Sequence, residues 1–147
     1  MIEKFLLSAL FGIAMAHVEG VGVVYLRKVL GIVDLESNKV SLKKFSKRYL
    51  LIEKTREVAT MVMLVTLALL IGDTWFDKML VFFWTFAFWD LFYYISLYLL
   101  IKWPPKLTTI DVLFLIPRPW IASVWVPIGM SLIIITIITV ILLTSIV

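Results

Sequence analysis

Asp90 sits in the middle of the apolar run Met79–Ile101, within Phe88-Trp89-Asp90-Leu91-Phe92-Tyr93-Tyr94. A carboxylate near the centre of a membrane-length helix costs at least about 2.5 kcal/mol on the mildest insertion scales, so something must offset it. Tyr93 and Tyr94 follow at the three- and four-residue offsets and share the Asp90 face, which Leu97 and Tyr98 continue. Glu19 is a second acid in an apolar stretch, about 9 Å of helix short of Arg27, and is expected to point into the bundle in the inner half of the membrane. Glu53, Arg56, Glu57 and Thr60 are similarly spaced and bring both signs of charge to the inner interface, where Arg118 also arrives. Paired carboxyls with phenols beside them suit acid–base chemistry, one acid raised in pKa by burial and the other kept ionised by an arginine. Asp90, Glu19 and Tyr94 are the catalytic candidates on that reading. The wider polar or ligand-binding network is Glu19, Arg56, Glu57, Asp90, Tyr93, Tyr94, Asp111 and Arg118, of which Glu19, Glu57, Asp90, Tyr94 and Asp111, with Arg56 and Arg118 as counterions, are expected to line one cavity opening toward the cytoplasmic leaflet.

Each of these groups also has a plain structural use. The acids, arginines and tyrosines can pair with one another and lock short helices together, since lipid supplies no hydrophobic force between helices. Arg56 and Glu57 fit ordinary juxtamembrane charges. Asp111 stands three residues after Thr108, the capping-box spacing in acidic form, so it can serve free amides at a helix start as well as a site. His17 lies roughly 200° around the helix from Glu19, which argues against a dyad within that helix and for a neutral, hydrogen-bonded structural histidine. Three functions stand side by side: a structural or lipid- and small-ligand-binding membrane protein, a proton- or cation-coupled small transporter, and an intramembrane acid–base enzyme on a lipid or isoprenoid substrate.

The elements that position these groups follow from hydropathy. The chain of 147 residues is 63% hydrophobic, with a mean hydropathy of +1.07. Several of its apolar runs approach the 20 residues that cross a hydrocarbon core of about 30 Å as helix. The expected fold is an all-α integral membrane four-helix bundle in a single domain, with spans at about 5–26, 58–75, 79–101 and 119–145 and a cytoplasmic loop at 27–57. Paired Pro104 and Pro105 stop the third span. Pro119 is placed to open the fourth, with a tilt or bend expected at Pro127-Ile128-Gly129. In the first span Ser8, Gly12, Ala16 and Gly20 recur every four residues, a small-residue stripe that lets another helix approach closely. No small-x-small cleavage site follows that span, and Arg27-Lys28 flanks it like a stop-transfer signal, so it reads as retained.

Lys and Arg crowd into the first loop, whereas the turn between the second and third spans offers only Lys78 beside Asp73 and Asp77. That asymmetry predicts a multi-pass protein of the cell (inner) membrane with the loop cytoplasmic and both termini outside. After Ser41, apolar Leu42, Phe45, Tyr49 and Ile52 recur at helical spacing. They predict a basic interfacial helix whose Lys43, Lys44, Lys47 and Arg48 face anionic lipid headgroups, or simply fix topology. Residues 107–116 are apolar but reach only about 15 Å as helix, so a short re-entrant or interfacial helix is expected there.

Composition also excludes. With no cysteine there is no disulfide, thiolate metal site or iron–sulfur cluster, and no metal or cofactor is expected. The net charge of +4 is local and reports topology, not nucleic-acid binding. Phosphate-cradling loops, a Gly-x-Ser-x-Gly turn and His-Glu-x-x-His are lacking, which disfavours hydrolase and nucleotide-driven mechanisms. Membrane lipids are the expected partners, and the small-residue stripe leaves a second copy or another membrane protein open.

Four stretches carry a resemblance. Gly12–Arg27 (opening Gly-Ile-Ala-Met-Ala-His-Val-Glu-Gly), Arg56–Leu64, Phe88–Tyr94 and Trp103–Trp120 are similar to the signature segments of a group of small, uncharacterised prokaryotic multi-pass membrane proteins with Phe-Trp-Asp-x-Phe-Tyr-Tyr and Trp-Pro-x-x-Leu motifs. The resemblance implies a four-helix membrane architecture and brings no activity with it. In residue types alone the chain also resembles four-helix sterol-isomerase-like membrane proteins, which use acids and aromatics in a lipid-facing pocket.

Overall fold

The computed structural model describes residues 2–29 and 47–145, with side chains described from residue 26 back in the first stretch. Four helices and a β-hairpin follow in the order α1 (Ile2–Val29), α2 (Lys47–Ile71), α3 (Trp75–Ile101), β1 (Ile110–Phe114), β2 (Trp120–Ser123) and α4 (Trp125–Thr144). Three of them, α1 over Ile2–Leu26, α3 and α4, are long and apolar enough to cross a membrane. In α2 the apolar stretch from Val58 is preceded by Lys54, Arg56 and Glu57, which leaves too short an uncharged length for the same standard. Of the expected second span at 58–75, residues 58–71 are thus the apolar end of a helix that begins at Lys47, and Trp75 already opens α3. Lys43 and Lys44 of the expected basic helix lie outside the described residues, and Lys47 and Arg48 are exposed at the start of α2.

Helix α3 is central, with α1, α4 and α2 each packed on it. The closest approach is along the small-residue stripe of α1. Ser8 and Ala16 are fully buried, and a methyl added at Gly12 would stand 2.8 Å from the Thr85 carbonyl oxygen. At Gly20 it would stand 3.1 Å from Ser96 Cβ, so the stripe faces small residues of α3. At one end Phe5, Ala68, Val81, Trp84 and Ile138 join all four helices in one apolar cluster. There Lys4 pairs with Asp73 at 2.9 Å and Asp77 at 2.5 Å, tying α1 to the α2–α3 turn. Thr74 caps α3 by accepting the Asp77 amide, so α3 starts four residues before the expected third span. Its end at Ile101 matches the expectation, closed by Lys102 in a left-handed conformation.

The segment expected as a short helix at 107–116 is instead the first arm of the hairpin, with Ile110 opposite Ser123 and Asp111 opposite Ala122. Pro117 and Pro119 remove amide donors on either side of Arg118 and turn the chain, while β-branched Ile110 and Val112 suit an extended backbone. Asp111 therefore caps no helix. The same hairpin claims Trp120–Ser123, so the last helix opens at Trp125, not Pro119, and Pro127 falls in its tolerated first turn.

Beside the apolar core, polar groups are buried and large apolar side chains are exposed. Ser8, Glu19, Thr60, Thr85, Ser96, Thr109, Asp111 and Ser131 are buried, while Leu6, Leu10, Val18, Leu70, Ile133 and Leu143 are exposed. Exposed Thr136 donates back to its own helix, to the Leu132 carbonyl. An apolar exterior over satisfied polar groups is the arrangement lipid demands.

Candidate functional site

Glu19 projects from α1 and is 9% exposed. Three donors converge on it. Arg56 Nη1 pairs with Oε1 at 3.0 Å, Trp89 Nε1 donates to Oε2 at 3.0 Å, and the Thr60 hydroxyl donates to Oε1. Thr60 stands one helical turn after Arg56, so α2 delivers both to the same carboxylate. Arg56 also donates to Glu53 Oε2 through Nε at 3.2 Å and Nη2 at 2.8 Å. Burial opposes the Arg56 charge, but the hydrogen bond with Glu53 and the charges of Glu19 and Glu53 outweigh it and raise its pKa above the ordinary guanidinium value.

Glu57 faces the hairpin. Its two oxygens accept the backbone amides of Leu115 at 2.8 Å and Ile116 at 3.1 Å, just past the end of β1. The carboxylate thus clasps α2 to the hairpin and satisfies amides that the turn leaves unpaired. On α3, Tyr94 is buried and donates to Asp111 Oδ2 at 3.2 Å. Asp111 is 5% exposed, while its neighbour Ile110 faces out. Asp90 accepts the Ser131 hydroxyl of α4 at 2.8 Å.

Apart from Ser131 and Ile116, these groups line one cavity of about 120 Å³, bounded by α1, α2, α3 and β1. Of the residues expected from the sequence, Glu19, Arg56, Glu57, Asp90, Tyr93, Tyr94 and Asp111 line it together. Arg118 does not; it is exposed in the hairpin turn. His17 also lies elsewhere, its Nδ1 3.4 Å from Ser96 Oγ at the α1–α3 contact. Sequence reasoning missed Trp89 and Ser131 as polar partners. Trp89 adjoins Asp90 in sequence, yet about 100° of helix separates the two and aims the indole at Glu19 of α1. Ser131 is a lone hydroxyl two residues after Gly129 in a run of Ile, Leu and Met, and its depth opposite Asp90 depends on helix register.

Chemically, the cavity has an acidic wall, a single guanidinium among the described residues, and the aromatic groups of Trp89, Tyr93, Tyr94 and Phe114. No cluster of three or more metal-ligating side chains occurs among the described residues. Comparison of the chain with known protein families, curated proteins and solved structures gives no match.

Proposed function

We propose that the chain is a multi-pass membrane protein that holds the polar head of a lipid or other small amphiphile in this cavity. Helices α1, α3 and α4 would span the cell membrane, with the apolar part of α2 as the fourth crossing, the basic stretch cytoplasmic and both termini outside. Lys47 and Arg48, exposed at the start of α2, would then meet anionic headgroups.

The observation that carries the reading is the cavity itself, a space among ionisable and aromatic groups inside an otherwise apolar molecule. Its volume is slightly below the roughly 150 Å³ of a cavity that admits one benzene, which suits a head group and not a whole lipid. A place for the tail adjoins it. An apolar groove lined by Val58, Met61, Val62, Val65 and Ile116 shares Glu57 and Phe114 with the cavity.

Purification in native lipid followed by mass spectrometry of bound small molecules tests this. A defined amphiphile should copurify with the wild type and be depleted at least tenfold from Val112→Trp, which fills the cavity from β1. Equal recovery from both proteins, or bulk lipid alone, would overturn the reading. The Tyr94–Asp111 hydrogen bond beside Asp90 favours acid–base chemistry as a second reading. It predicts conversion of the copurified molecule on incubation, lost in Tyr94→Phe.

A further inference from the structure

We propose that the head held in the cavity is an organic cation, an ammonium group on an apolar chain; this rests on the head-group reading above. Arg56, the one cationic side chain lining the cavity among the described residues, is already committed to Glu19 and Glu53. The amides of Leu115 and Ile116 occupy Glu57. Asp90 also lines the cavity, and the donor it receives is the neutral hydroxyl of Ser131. A hydroxyl orients a carboxylate without cancelling its charge, so Asp90 presents an acceptor to the cavity that a cation would complete.

The walls around it suit such a guest. Trp89 and Tyr93 flank Asp90 in the lining, Tyr94 lies one turn on, and Phe114 closes the hairpin side. Aromatic faces attract ammonium groups, most strongly when the ion is desolvated, and a carboxylate beside them adds direct charge pairing. A neutral head gains neither term. An anionic head would face Asp90, Asp111 and Glu19 in a low-dielectric space and be repelled.

Three amphiphiles with one tail decide the matter: dodecylammonium, dodecanol and dodecanoate, titrated into the full chain in phosphatidylcholine nanodiscs, with partitioning into empty nanodiscs subtracted. Dodecylammonium should bind at least tenfold tighter than dodecanol, and dodecanoate weakest. Asp90→Asn should erase the preference while dodecanol binding persists, whereas Glu3→Gln, outside the cavity, should keep it. Equal binding of the ammonium and the alcohol by the wild type overturns the inference and leaves the head-group reading standing. So does a preference that survives in Asp90→Asn. Binding of none of the three beyond partitioning overturns both. The wild-type ratio decides even if Asp90→Asn fails to fold, and Asp90→Glu, which retains the charge, should retain the preference.

Discussion

Glu19 keeps a carboxylate inside an apolar helix because two other helices bring donors to it. Arg56 and Thr60 arrive from α2 and Trp89 from α3. Such a network is worth less as stability than its bond count suggests, since desolvation offsets much of the attraction, but removing one member strands the rest. Arg56→Gln should therefore lower stability in detergent by about 1–3 kcal/mol, a range kept modest because the Arg56 side chain is 37% exposed. Glu19→Gln should cost less, since Arg56 retains Glu53. Thermal unfolding of the two variants checks the order, and a larger loss in Glu19→Gln would contradict it. The charged members of this network were legible in the sequence because an acid in an apolar run announces its own cost. Two neutral partners, Trp89 on Glu19 and Ser131 on Asp90, were not, because indoles and hydroxyls are ordinary in such helices and gain meaning only from the depth at which another helix passes.

Helix α1 owes its close approach to α3 to particular glycines. A methyl at Gly12 meets the Thr85 carbonyl oxygen at 2.8 Å, a backbone atom that cannot swing away, whereas one at Gly22 meets nothing within 4 Å. Gly12→Ala should destabilise by about 1–3 kcal/mol through overpacking. Gly22→Ala should be neutral or stabilising by up to about 1 kcal/mol through helix propensity. Paired unfolding measurements test this contrast, and equal effects would refute the packing role of the stripe. The hairpin depends on Glu57 in the same local way. Glu57→Ala should speed amide hydrogen exchange at Leu115 and Ile116 with little change in the centre of α3; unchanged exchange there would refute the clasp. The stripe was legible because its four-residue period is a property of one helix. The hairpin was not: its pairing joins residues across the Pro117–Pro119 turn, and the local spacing of Thr108 and Asp111 satisfied a helix rule as well. Two prolines separated by one residue were the available signal for a turn.

Across the whole molecule, polar groups are buried beside the apolar core and many large apolar side chains face outward. Leu, Ile and Val face out on α1, α2 and α4, while the cavity concentrates the carboxyls between α1, α2, α3 and the hairpin. Such a molecule is stable where its surroundings are apolar, and the three long apolar helices fit a bilayer. Helical content and hydropathy were legible from composition. The cavity was not, because it depends on how α1, α2, α3 and the hairpin come together in space. The chain's lack of cysteine makes that space directly measurable. A single Val112→Cys on the cavity wall should be alkylated slowly by a small water-soluble thiol reagent in protein purified with native lipid. After delipidation the rate should rise at least fivefold, while Val81→Cys in the apolar core stays unreactive in both preparations. A Val112→Cys rate that is the same before and after delipidation would contradict a ligand-holding cavity.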